Sequence, residues 1–144
     1  MTSHKYSIVF IFSLLLIISC TKRDENLVLA ETFVEARNNY DAKALDKIID
    51  ENYHELFKKN EFEIEHKDEF FYHLDWTAEM NSKTRIIEII TITDSTVVII
   101  EENSNYMDTA LKQSPRNFKT TFYIKSNKIQ KQSYDTLPGY NKQD

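Results

Sequence analysis

One glycine, one cysteine and two prolines stand in a chain of 144 residues, and the scarcity of each removes a class of chemistry. A GxSxG nucleophile elbow, a P-loop and a dinucleotide fingerprint all need several glycines, where the backbone turns tightly or approaches a phosphate. Gly139 alone cannot supply them. Cys20 has no second cysteine in the chain to pair with. A surplus of basic charge is also missing: the formal net charge is −5, which leaves no footprint for nucleic acid. None of the histidines lies in an HExxH motif or has a histidine four residues away, so no metal and no cofactor is expected. The longest apolar stretch, Ile8 to Ile18, falls short of the roughly 20 residues that cross a bilayer.

That stretch, preceded by His4 and Lys5, has the basic and apolar regions of a secretory leader. It ends in Ile17-Ile18-Ser19-Cys20, which resembles a bacterial lipobox, where a small residue precedes a cysteine that is lipidated before the leader is removed. The competing reading is a free thiol after a generic leader. Two or three acyl chains on one cysteine anchor a protein essentially permanently, whereas one does so only marginally. The expectation is therefore a leader over 1–19, a lipidated tether over 20–26 beginning at Cys20, and attachment to the bacterial envelope at the outer membrane. Thr21-Lys22-Arg23-Asp24-Glu25 is similar to the Lys-then-acidic tracts that send some lipoproteins to the cell surface, although any solvated linker has the same look.

The remainder is one domain's worth of chain. Leu27, Ala30, Phe33, Val34 and Tyr40 share a face at 100° per residue, which predicts an amphipathic helix over about 25–39. Asp41 reads as the N-cap of a second helix over 42–50, ended near Asn52. Residues 53–57 and 62–66 read as short strands, and Asp68 as the cap of a third helix reaching about Asn81. Ile/Val-rich strands are predicted over 85–92 and 96–103, then a polar connection over 104–116, then a strand pair over 117–125 and 128–134. With so little glycine the turns rely on Asn, Asp and Ser, as at Ser126-Asn127. The tail over 136–144 is polar.

This order makes an α+β domain with three helices of the N-terminal half packed on a curved, mainly antiparallel sheet. Over 27–135 the chain resembles the nuclear transport factor 2-like superfamily, which includes SnoaL-like and ketosteroid-isomerase-like proteins. The resemblance rests on Tyr40-Asp41 closing the first helix, on Lys67 to Leu74 opening the third, and on Phe122 to Ile129 followed by Tyr134-Asp135. Members commonly carry Asp-Gly-Lys at the last turn, where this chain has Ser126-Asn127-Lys128. The resemblance implies a cone-shaped pocket between helices and sheet, used for catalysis, for binding alone or for dimer contacts. A small apolar ligand and a homodimer are the partners it implies.

Two charges fall on predicted apolar faces. Arg37 lies among Ala30, Phe33, Val34 and Tyr40, and Glu88 shares a strand face with Ile86, Ile90 and Ile92. Each must be paired or wetted, so they either form an ion pair or border a watered pocket. The runs Glu61-Glu63-Glu65 and Glu101-Glu102 read as solvated strand faces. On the third helix Tyr72 and Trp76 stand one turn apart, opposite Phe71 and Leu74, and form an aromatic surface for other helices, a ligand or a partner. The ligand-binding candidates are thus Arg37, Tyr72, Trp76 and Glu88, and the expected role is a lipid-anchored binding module. The alternatives are an isomerase-like or cyclase-like enzyme, with Glu88 as its carboxylate base, and an interaction domain whose pocket is filled by its own side chains.

Overall fold

A computed structural model describes residues 23–58 and 62–139. The expected leader, Cys20 and most of the tail lie outside those residues. The first helix, α1 (residues 23–38), buries Ala30, Phe33, Val34 and Ala36 and exposes Glu31 and Glu35, as the periodicity requires. It ends in a left-handed residue that is not glycine. Tyr40 has φ 55°, Asp41 N–H donates to Ala36 O at 2.9 Å, and Tyr40 N–H donates to Arg37 O at 3.1 Å. This is a Schellman closure, which glycine usually makes. Here the tyrosine hydroxyl donates to Ser82 O at 2.9 Å and its ring lies 4.3 Å from Lys83 Nζ, contacts that hold the left-handed turn in place.

Asp41 caps α2 (Ala42–Ile48) through its side chain, which accepts from Ala44 N–H at 3.0 Å. The second helix ends earlier than the pattern around Asn52 predicts. Ile49 turns extended and buried, and the chain runs straight into β1 (Ile49–Phe57), where Ile49 pairs with Ile129. A short β2 (Phe62–Ile64) follows, then α3 (Lys67–Glu79). Asp68 does not cap α3. His66 occupies that position without a side-chain bond, Glu69 accepts from Glu65 N–H at 3.0 Å, and Asp68 sits in the first turn, where its charge suits the helix dipole. Lys67 pairs with Asp46 at 2.8 Å and Glu51 at 3.0 Å, tying the start of α3 to α2 and β1.

The second half is β3 (Lys83–Ile92), β4 (Thr96–Ser104), α4 (Tyr106–Ala110), β5 (Arg116–Lys125) and β6 (Lys128–Thr136). The short α4 replaces part of the expected connection. Asn105 accepts from Met107 and Asp108 N–H groups while Asp108 accepts from Asn105 N–H, a reciprocal capping box. At the last turn Ser126 and Asn127 take φ 52° and 56°, the type I′ geometry that suits a twisted hairpin. Six strands form one open sheet in the order β2-β1-β6-β5-β4-β3, antiparallel throughout except for the β1–β6 pair.

Phe33 from α1, Tyr53 from β1, Phe70 from α3 and Phe122 from β5 meet in the core, with edge-on contacts of 5.7 Å for Phe33–Phe122 and 5.0 Å for Tyr53–Phe70. All four are at most 2 % exposed, so truncating any one to alanine is expected to cost about 3–5 kcal/mol. No helix among the described residues is long and apolar enough to cross a membrane.

Candidate functional site

Beyond this core, α3 and the sheet stand apart and leave a cleft with two lobes. The outer lobe, about 490 Å³, is bordered by Phe57, Ile64, Phe70, Leu74 and Trp76, with Tyr72 and His73 toward its rim. The inner lobe, about 160 Å³, is bordered by Thr84, Glu101, Asn103, Phe118 and Tyr134. Arg37, Phe57, Trp76, Thr77 and Arg116 border both lobes, so the two are compartments of one site.

The wall between core and cleft is a chain of buried polar groups. Tyr53 donates to Glu55 Oε1 at 2.7 Å, and its oxygen lies 2.5 Å from Gln132 Oε1. Tyr134 donates to Gln132 Oε1 at 2.9 Å and receives Arg37 Nη1 at 2.6 Å. Arg37 Nη1 also stands 4.0 Å from Glu55 Oε1, a carboxylate with only 1 % of its side chain exposed. Phe57 stacks on the Tyr134 ring at 4.4 Å and 8°. Strand alternation explains the grouping: Glu55 and Phe57 on β1 pair with Gln132 and Tyr134 on β6, all on the face that meets the helices.

Electrostatics divide these groups into fixed and titrating ones. Burial pushes the Tyr53 and Tyr134 phenols well above their ordinary range, so both stay neutral. Burial pulls the Arg37 guanidinium down, but Tyr134 and Glu55 more than compensate and leave it above its ordinary value. Glu101 is different. It is 4 % exposed, and desolvation raises its carboxyl to about 7 even though Arg37 acts to lower it. A carboxyl that exchanges its proton near neutrality, in a cleft, can donate a hydrogen bond, accept one, or move a proton.

Arg37 borders the cleft and is paired, but with Tyr134 and Glu55 and not with Glu88, the ion-pair partner that the sequence offered. Glu88 is exposed on β3 and does not border the cleft. The register shift between Ile86 and Glu88 inserts one extra residue, which turns Glu88 off the face of Ile86. The two acids of Glu101-Glu102 separate: Glu102 pairs with Arg85 at 3.1 Å, whereas Glu101 points into the inner lobe. Tyr72 and Trp76 are 75 % and 51 % exposed at the cleft wall, which makes them a surface and not part of the core. Glu55, Glu101 and Tyr134 are the site residues that the sequence reading missed. Among the described residues no group of three or more His, Cys, Asp or Glu side chains could hold a metal ion.

No family model matches the chain in sequence, and no curated protein does. Solved structures do match in shape. A candidate ketosteroid isomerase from Kribbella flavida superposes with a TM-score of 0.67 at 6 % identity, covering 84 % of each chain. A candidate SnoaL-like polyketide cyclase from Jannaschia gives 0.63 at 13 % identity, covering 78 % of this chain and 85 % of that one. A nuclear transport factor 2-like protein of unknown function from Cytophaga hutchinsonii gives 0.61 at 14 %, covering 76 % and 88 %. The chain has the nuclear transport factor 2-like fold. At these identities the likeness extends to the fold alone. The cleft lies between the helices and the sheet of this fold, and its inner lobe is lined in part by Arg37, Glu101, Trp76 and Tyr134.

Proposed function

We propose that the chain is a binding module of the bacterial envelope, anchored through lipid on Cys20, that holds a small and largely apolar molecule in the cleft between α3 and the sheet. The observation that carries this reading is the outer lobe. Its volume of about 490 Å³ lies within the 300–1,000 Å³ of ordinary ligand pockets, and its exposed lining is mainly apolar surface, from Phe57, Ile64, Phe70, Leu74 and Trp76, set among the polar groups of Arg37, Glu55, His73, Thr77 and Arg116. The anchor rests on the leader and lipobox resemblance at Ile17 to Cys20. Trp76, the single tryptophan, borders both lobes and reports on them. Its emission should change saturably as small aromatic compounds are titrated in. Emission that stays flat across a chemically varied panel would remove the proposal.

Enzyme activity is the second reading, favoured by Glu101. A buried carboxyl that ionises near 7 beside a neutral phenol and a guanidinium has the makings of a general base with an anion-stabilising pair. Binding is preferred because the Tyr134 hydroxyl already accepts from Arg37 and donates to Gln132, which leaves it no free proton to offer a developing anion. Turnover that is lost in Glu101→Gln with binding retained would reverse that preference.

A further inference from the structure

Taking the cleft as a ligand site, we infer that its ligand is an apolar monocarboxylic acid whose carboxylate lies in the inner lobe between Arg37 and Glu101, and that Glu101 takes up a proton as the acid binds. The outer lobe selects an apolar body, since Phe57, Ile64, Leu74 and Trp76 offer it little but hydrocarbon and ring faces. The inner end selects the head group. Arg37 borders both lobes and gives Nη1 to Tyr134, while a guanidinium has five N–H donors in a planar fork that matches a carboxylate. Arg116 adds a second guanidinium at the junction, with its Nη2 3.9 Å from Asp108. Two arginines disfavour a cationic head. A phosphate dianion fits less well than a carboxylate, because Arg37 and Arg116 already face Glu55 and Asp108 and a dianion brings twice the uncompensated charge.

The proton follows from the same placement. The groups that act on Glu101 are Arg37 from α1, Glu55 from β1, Thr120 from β5 and Tyr134 from β6; Arg116 of β5 shares its lobe, and α3 and β3 contribute Trp76, Thr77 and Thr84, which do not titrate. A second anion in this lobe cannot sit beside an ionised Glu101 without strong repulsion, since two carboxylates sharing a site raise one pKa strongly. Glu101 ionises at about 7 without ligand, so a bound carboxylate moves it higher and turns it into an O–H donor to the ligand. One proton leaves the solvent and forms the O–H bond on Glu101. No other bond changes.

The test compares 4-phenylbutyrate with 4-phenylbutyramide, which are near-isosteric and differ in charge, using Trp76 emission and titration calorimetry in buffers of different ionisation enthalpy. At pH 6 the acid should bind at least ten times more tightly than the amide. From pH 7 to pH 8.5 its affinity should fall by about tenfold per unit while the amide's stays level, and proton uptake should rise from near zero at pH 6 toward one at pH 8. Glu101→Gln keeps a neutral donor, so acid binding should persist and lose its pH dependence. Arg37→Gln should remove the preference for the acid. If that variant fails to fold, the wild-type comparison and Glu101→Gln still decide. An amide that binds as well as the acid overturns the inference and leaves the pocket reading standing, as does acid binding indifferent to pH without proton uptake. If neither compound moves Trp76 or releases heat, the ligand inference fails, and a flat response to the wider panel sinks the pocket reading with it.

Discussion

Arg37 Nη1 donates to the Tyr134 hydroxyl at 2.6 Å across 97 positions of sequence, joining the first helix to the last strand, with Glu55 of β1 at 4.0 Å from the same nitrogen. Replacing Arg37 with Met leaves Glu55 buried without its cation, which typically costs about 3–5 kcal/mol. Tyr134→Phe removes one hydrogen-bonding group and should cost about 1–3 kcal/mol. Arg37→Met with Glu55→Gln should cost less than the two single changes summed, because the double variant has no orphan charge. Urea denaturation of the four proteins checks this, and strictly additive losses would show that the pair does not act as one.

Glu101 gives a stability profile with a definite sign. Its folded-state carboxyl titrates at about 7 against an ordinary 4.5, so between those values the folded state binds more protons than the unfolded chain. Stability contributed by this residue is present below about pH 4.5, declines as pH rises toward 7, and is lost above it. The full difference is about 3 kcal/mol. Glu101→Gln should therefore gain on the wild type at pH 8 and show little advantage at pH 5. Parallel denaturant midpoints across that range would contradict the assignment.

The contrast between Glu88 and Glu101 shows where the sequence is legible and where it is not. Helix faces follow local geometry, and Ala30, Phe33, Val34 and Arg37 fell where a 100° rotation puts them. Strand faces follow register, and a bulge in β3 between Ile86 and Glu88, which no alternation pattern encodes, takes Glu88 off the cleft face and leaves Glu101 of β4 as the carboxylate there. The clustering of Glu55, Gln132 and Tyr134 depends on the parallel β1–β6 pair, a long-range choice invisible in any local window. One overlooked feature was readable: Asn105-x-x-Asp108 is a capping-box spacing, and it marks α4.

Helix ends make a prediction of their own. α3 and α4 close on Asn81 at φ 47° and Lys112 at φ 53°, with the same backbone bonds that close α1 at Tyr40. The left-handed conformation costs an ordinary residue about 1–2 kcal/mol, partly offset by the unfolded-state entropy of a glycine in its place. Lys112 is exposed, so Lys112→Gly should stabilise the domain by about 0.5–1 kcal/mol. Tyr40→Gly should do the reverse, since it gives up the bond to Ser82 and the contact with Lys83. Thermal melts of the two variants moving in the same direction would refute this account of the turns.

The anchor is tested apart from the domain. Cys20→Ser removes the only sulfur in the lipobox-like stretch and should leave an uncleaved or soluble form in place of a membrane-held one. Detergent partitioning of processed Cys20→Ser equal to wild type would end the lipoprotein reading. Neutralising Lys22 to Glu25 should lower protease access on intact cells if the tract directs surface display, and unchanged access would dismiss that role.

Trp76 separates a ligand wall from a structural one. It is 51 % exposed, borders both lobes, and stands one turn from Tyr72 on α3, so little of its ring is committed to the core. A core tryptophan cut to alanine loses about 3–5 kcal/mol, but a half-exposed one should lose about 1 kcal/mol. Trp76→Ala is therefore expected to fold with only a modest drop in denaturant midpoint and to bind 4-phenylbutyrate at least tenfold more weakly, followed by calorimetry because the fluorophore is gone. Trp76→Phe keeps an apolar ring of smaller area and should fall between the two. Binding weakened by Trp76→Ala but not by Tyr72→Ala would place the ligand deep, toward Arg37 and Glu101, whereas equal losses would place it at the rim. A large stability loss in Trp76→Ala, with binding unaffected in Trp76→Phe, would make the indole part of the fold and leave the cleft without its aromatic wall.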